Sequence, residues 1–285
     1  MSSGQPNNNN KPFRITQDET VAEGVARVIH ELLACMIGYL DNYQVEPDSI
    51  HQTRVACKRL RAIAKLLRKS LPKPAKQLNA EIRDISRLLS LQRDAEVKLE
   101  LIGQLINDAD EDQQHLLQLL AEHYQEGAID QQIVEKNVQL AKEKAIALGE
   151  LVKSWKFKKM DQAKVFKALG NEWGLAKISY LQNQKDPDPV DMHTWRKHAK
   201  TCLYQSQLLE THLKAKYPQR IEKLKKLGTL LGQYHDLVLI LEDIEEPIIA
   251  DWNEAEQASL QGYIKNKQGK LLKKTLKIAK AVFEK

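Results

Sequence analysis

Three features of the 285-residue sequence predict an all-α fold. Apolar residues recur at i, i+3, i+4 spacing almost without interruption from Thr16 onward, as in Val21, Val25, Val28, Ile29, Leu32 and Met36. Aromatic residues make up only 6% of the chain, which is thin for a β-sandwich or barrel. No Asn-Gly or Asp-Gly hairpin signal and no sustained polar–apolar alternation occurs.

The elements follow in order. Residues 1–12 are rich in Asn, Ser and Pro, and a disordered tail is expected. Thr16-x-x-Glu19 reads as a capping box that opens the first helix. Glu46-Pro47-Asp48-Ser49 breaks it, and a second helix runs over about 49–70 with Ser49 as its N-cap. Leu71-Pro72-Lys73-Pro74 stops that helix; a third is expected over about 75–107 and a fourth over about 111–152. The pattern then restarts, with helices at about 160–184, 191–215 (Asp191 as N-cap), 218–246 and 252–284.

A 42% hydrophobic and 29% charged composition is that of a globular chain able to bury its own core. Cys35, Cys57 and Cys202 form neither a disulfide framework nor a zinc pattern, so a reducing, cytoplasmic setting is expected. The N-terminus has no apolar stretch of the signal-peptide kind. No 18 apolar residues run together, so no membrane span is expected. Forty-four Lys and Arg against 38 Asp and Glu leave a net charge of +6, too modest to imply an anionic partner by itself. The placement of the charges decides more.

That placement repeats at an offset of 142 residues. His51-x-x-Arg54-x-x-x-Lys58 matches His193-x-x-Arg196-x-x-x-Lys200. Pro47 matches Pro189, Leu66-Leu67 matches Leu208-Leu209, Leu88-Leu89 matches Leu230-Leu231, and Asp94 matches Asp236. Residues 51–100 and 193–242 share 12 identities in 50 ungapped positions, and the charged matches are harder to ascribe to leucine-rich helices than the rest. Two four-helix units related by duplication are expected, about 13–154 and 155–285.

At about 100° per residue, His51, Arg54, Lys58, Arg61 and Lys65 fall on one stripe of the second helix, opposite Ala56, Leu60, Ile63 and Leu67. His193, Arg196, Lys200 and Tyr204 form the matching stripe. Exposed helix faces ordinarily mix signs, because i, i+4 Glu–Lys pairs stabilise them. The first stripe holds no acid, so a bound anion is the natural compensation. On the third helix, Lys76, Arg83, Arg87 and Asp94 share a face; the counterpart carries Pro218, Lys225, Thr229 and Asp236. Asp94 and Asp236 are expected to orient a His or Arg of the neighbouring helix, or to form plain interhelical salt bridges. Each histidine lies just inside a helix start, where free N–H groups attract phosphate.

Catalytic signatures are missing. There is no P-loop, dinucleotide fingerprint, H-E-x-x-H, C-x-x-C or G-x-S-x-G. His115 and His123 lack metal-ligand spacing and read as surface residues, and Trp155, Trp173, Trp195 and Trp252 as packing anchors.

His51-x-x-Arg54-Val55-Ala56-x-Lys58-Arg59-Leu60-Arg61 resembles the hallmark of the CHAD domain, the conserved histidine α-helical domain. His193-x-x-Arg196-Lys197-x-Ala199-Lys200 with Tyr204 resembles its second half. The segments 88–94 and 230–236 are similar to its LG-x-x-RD motifs. The resemblance covers everything after the tail. It implies two pseudo-symmetric four-helix bundles around a basic central cleft that binds inorganic polyphosphate. His51, Arg54, Lys58, Arg59 and Arg61 would line one half, and His193, Arg196, Lys197, Lys200 and Tyr204 the other. Thr201 and Leu203 stand where the family often has basic residues, Ser90 replaces Gly, and His235 replaces Arg. These departures imply weaker phosphate binding in the second half. The Glu-x-Glu-x-Lys strand of the triphosphatase module fused to many relatives has no counterpart: Glu254-Ala255-Glu256 continues as Gln257-Ala258 in a helical stretch.

The expected function is therefore non-catalytic polyphosphate binding, without cofactor or metal. The binding set is His51, Arg54, Lys58, Arg59, Arg61, Lys65, Arg83, Arg87, His193, Arg196, Lys197, Lys200, Tyr204 and Lys225, with Asp94 and Asp236 as orienting acids. The expected partners are polyphosphate and polyphosphate granules, without nucleic acid or membrane, for a monomer or weak dimer in the cytoplasm. The rivals are a nucleic-acid or nucleotide-binding helical module and a phosphohydrolase or phosphotransfer accessory protein. A basic-striped scaffold for an acidic protein is a third. Few aromatics and no base-reading helix speak against the first.

Overall fold

Ten α-helices form the described part of the chain in a computed structural model, which covers residues 12–126, 130–215, 217–245 and 252–284, the side chains of 91–96 and 126 excepted. They are α1 (Val21–Asp41), α2 (Ser49–Leu67), α3 (Pro72–Leu88), α4 (Ser90–Ile106), α5 (Glu111–Glu126), α6 (Gln131–Lys153), α7 (Gln162–Lys185), α8 (Pro189–Leu208), α9 (Tyr217–Glu245) and α10 (Glu254–Phe283). No strand occurs among the described residues, so the all-α reading holds. The polar tail lies outside them except for residue 12.

Helix starts differ from the sequence reading by small steps with identifiable causes. The capping box of α1 is Thr20 with Glu23, one turn later than Thr16 with Glu19. Glu19 instead accepts from Thr16 N (2.8 Å) and Thr16 Oγ1 (3.0 Å) and pairs with Arg27 (2.5 Å), closing a turn ahead of the helix. Ser49 is the first residue of α2, with Asp48 as N-cap. Asp191 lies inside the first turn of α8, where Asp188 Oδ1 accepts from Val190 N (2.8 Å) and Asp191 N (3.2 Å). Both histidines remain near their helix starts.

Two expected long helices are each divided. Leu89 separates α3 from α4, where the Ser90 hydroxyl donates to the Arg87 carbonyl at 2.8 Å and competes with the helical ladder. The equivalent position in α9 is Gly232, and α9 runs unbroken. The expected helix over 111–152 is α5 and α6, and Asp130 Oδ1 caps the second by accepting from Gln132 N at 2.8 Å.

The described residues divide into two compact units. One is drawn from Met1–Ser86, Ala141–Glu172 and Thr201–Ile221, the other from Arg87–Leu140, Trp173–Lys200 and Glu222–Lys285. Neither is a continuous half of the chain, so the compact units are not the two sequence repeats. In the first, α1 packs on α2, burying Val25, Val28, Ile29, Leu32 and Met36 of α1 and Ala56, Leu60, Ile63 and Leu67 of α2. The segment before α1 is tied down: Ile15 N donates to Leu208 O (3.0 Å), Thr211 Oγ1 donates to Ile15 O (2.8 Å), and Arg14 pairs with Glu210. Gly24 makes room for this segment, since a Cβ there would stand 2.5 Å from Ile15 Cγ2.

The second unit has a core of Ile102 and Leu105 (α4), Leu116, Leu117 and Leu120 (α5), Leu237, Ile240, Leu241 and Ile244 (α9), and Leu260 and Ile264 (α10). The tryptophans are packing residues as expected: Trp195 is buried against Tyr180, Trp173 meets Phe283 edge-on, Trp155 lies beside Phe157, and Trp252 packs against this core. His115 and His123 are exposed on α5.

Candidate functional site

In the first unit the hydrophobic face of α2 fixes where its cations point. Packing of Ala56, Leu60, Ile63 and Leu67 into the core turns Lys58, Arg61 and Lys65 to solvent and leaves His51 and Arg54 half-buried. Arg54 Nη1 donates to the Ser86 carbonyl at 3.4 Å. The positive field is felt by Cys57: burial pushes its thiol up to about 11, while the Ser86 hydrogen bond and the charges of Arg54, Arg61 and Lys58 pull against that rise.

Two members of the expected set have other work. Lys65 Nζ lies 2.7 Å from Oε2 and 2.9 Å from Oε1 of Glu172, a carboxylate whose side chain is only 4% exposed. The stripe has no acid of its own, but α7 supplies one, so Lys65 is compensated within the protein. Arg59 is clamped between the rings of Phe13 (5.3 Å) and Tyr204 (5.0 Å). Burial holds its guanidinium pKa below the usual value, partly opposed by Tyr204. Tyr204 thus packs with Arg59 in the first unit, whereas His193, Arg196 and Lys200 belong to the second.

The basic face expected along one third helix is interrupted by the break at Leu89. Lys76, Arg83 and Arg87 are exposed on α3, with Arg83 Nε 3.9 Å from Asp84 Oδ1. Asp94 belongs to α4, and its side chain lies outside the described residues. Lys225 is exposed on α9.

The second unit gathers the denser cluster, on α8 and α9. Arg196 and Lys200, one turn apart on α8, lie against Gly232 and Gly228, one turn apart on α9. A Cβ at position 228 would stand 3.3 Å from Lys200 Cδ and Cε, and one at 232 would stand 3.8 Å from Arg196 Nε. The two glycines form a trough in which the cationic side chains lie. Burial and the charge of Arg196 lower the Lys200 pKa, and Asp236 opposes the shift. Asp236 therefore acts on a lysine of the neighbouring helix.

His193 faces His235, with ring centroids 4.4 Å apart and planes at 45°. Burial, then Lys197 and Arg196, lower the His193 pKa. Burial, then Arg196, His193 and Lys197, hold His235 down to about 4. Arg196 Nε and His193 Nδ1 are buried without a hydrogen-bond partner among the described residues. Unsatisfied buried polar atoms are uncommon and costly in a folded protein. Lys197 points to solvent beside them. The i, i+4 glycine spacing was the sequence signal for the trough, and His235, one residue before the repeated Asp236, was the signal for the paired imidazoles.

The family model described as CHAD domain matches residues 25–242, most of the chain and both basic clusters. The chain belongs to the CHAD-domain family. A crystal structure of the CHAD domain from the plant Ricinus communis shares the fold, with a TM-score of 0.67 over 95% of this chain and 97% of that one, at 18% sequence identity. No curated protein gives a significant sequence match. Within this CHAD domain the two hallmark helices are α2 and α8, and each carries a His, Arg and Lys at the same spacing. No described helix is long and apolar enough to cross a membrane.

Proposed function

We propose that this CHAD domain binds inorganic polyphosphate, without turning it over, through the basic faces of α2 and of α8 with α9. The observation that carries this reading is the cluster of His193, Arg196, Lys197, Lys200 and His235 in one unit, with two buried polar atoms lacking partners among the described residues. Such a site lowers its own repulsion by taking an anion. Arg supplies planar donors suited to phosphate oxygens, and Lys a mobile point charge. Polyphosphate offers charge at every unit and no bases to read, so it matches a site of cations without a stacking platform. The α2 face of the first unit, with Arg54, Lys58 and Arg61, is a further set of polyphosphate contacts. The expected setting is the cytoplasm, with polyphosphate granules as one location of the ligand.

The test is a binding isotherm with long-chain polyphosphate, with single-stranded RNA and inorganic triphosphate as comparators. Polyphosphate should bind tightest, and log affinity should fall linearly with log salt as contacts release counterions. Equal or tighter RNA binding would favour the nucleic-acid reading. Release of phosphate from labelled polyphosphate with divalent metal would overturn the non-catalytic part.

A further inference from the structure

The paired imidazoles add something that a fixed cationic surface lacks. Among the described residues, the charges acting on His235 are Arg196 and Lys197 of α8 together with His193; those acting on His193 are Arg196 and Lys197. Of the acids nearby, Asp236 acts on Lys200 and Asp188 on Tyr234. Two rings at 4.4 Å beside two permanent cations cannot both carry charge without a counterion, so they titrate as a pair. A neutral imidazole presents one donor and one acceptor, and the acceptor nitrogen repels an oxyanion; a protonated ring presents two donors.

We propose that His193 and His235 form a proton-loading phosphate site, in which one phosphoryl oxyanion sits against the ring pair and Arg196 and its binding brings a proton from solvent onto the pair. This rests on the polyphosphate reading and assigns His235 to the site. No bond to phosphorus is made or broken; the proton moves from water or buffer to a ring nitrogen. Because the pair holds fewer protons free than bound, affinity rises as pH falls. The slope approaches tenfold per pH unit for each proton taken up. The window lies between the low free value of His235, about 4, and the pH at which the bound pair loses its proton.

The experiment is titration calorimetry of the full chain with long-chain polyphosphate, between pH 5.5 and 7.5, in two phosphate-free buffers of different ionisation enthalpy. The parent should show buffer-dependent heat that reports proton uptake, and affinity that strengthens toward low pH. His235→Arg should bind at least as tightly at pH 7.5 and lose most of the uptake. His235→Gln should lose the uptake and the acid-side gain. Both variants binding with the parent's buffer dependence would overturn the inference while leaving polyphosphate binding intact. Absence of binding by the parent at every pH would overturn the polyphosphate reading and this one with it. As an independent measurement, imidazole NMR signals of the free parent should show the pair uncharged at pH 6.5; two protonated rings there would overturn the inference.

Discussion

Lys65 and Arg196 carry the same formal charge but answer to different counterparts. Lys65 neutralises Glu172, a carboxylate that burial would otherwise leave exposed to a large desolvation cost. Arg196 lies in a glycine trough with a buried Nε that finds no partner among the described residues. The two should therefore separate stability from binding. Lys65→Ala should cost about 1–2 kcal/mol in urea unfolding, less than a fully buried pair because the lysine is partly solvated. It should change polyphosphate affinity little. Arg196→Ala should weaken binding by roughly 1.5–3 kcal/mol, the range for hydrogen bonds to charged groups, and leave the unfolding midpoint unchanged or higher. Equal losses of affinity in the two variants would show that Lys65 contacts the polymer after all. Arg59 belongs with Lys65 in this respect: its aromatic clamp gives it a structural contact that the composition of the stripe does not reveal.

At the scale of elements, what α8 presents is decided by what α9 omits. Gly228 and Gly232 cost helix stability, by as much as about 1 kcal/mol each relative to Ala. Gly228→Ala should recover part of that and raise the thermal midpoint or leave it unchanged. The new Cβ would press on Lys200, whose carbons stand 3.3 Å away, and affinity for polyphosphate should fall. A variant with both properties unchanged would remove the trough from the account. The helix class, the core face of α2 and the two basic stripes were legible in the sequence because periodicity and side-chain charge are local properties. The division at Leu89 was not, because it turns on a Ser90 hydroxyl capturing a carbonyl, which Ser does at some helical positions and not at others. Glu172 was missed, and His235 was read only as a departure that weakens the second half, for a different reason. Each acts on a side chain from another helix, and a helical wheel shows only residues on the same one.

At the scale of the whole molecule, the two compact units are assembled from interleaved segments, and the first joins the N-terminal part of the chain to a segment that begins at Thr201. Contacts of this kind are slow to form, because loop closure precedes any gain from them. The segment that reaches Leu208 and Thr211 is a clear instance: Ile15 is 193 residues from Leu208, by subtraction of their positions, and Phe13 lies on Arg59 beside Tyr204. During synthesis at about 5–20 residues per second, Ile15 is made roughly 10–40 s before its partner. For that interval the segment lies against Gly24 but lacks Leu208 and Thr211, so its docking is completed only once those residues have been made. A contact absent from the folding transition state slows unfolding without hastening folding. Ile15→Ala should accordingly steepen loss of the native state by raising the unfolding rate, with the refolding rate of the full chain unchanged in stopped-flow chevrons. A matched fall in the refolding rate would place the segment in the nucleus instead. The chain would then start to fold only after Leu208 and Thr211 had been made.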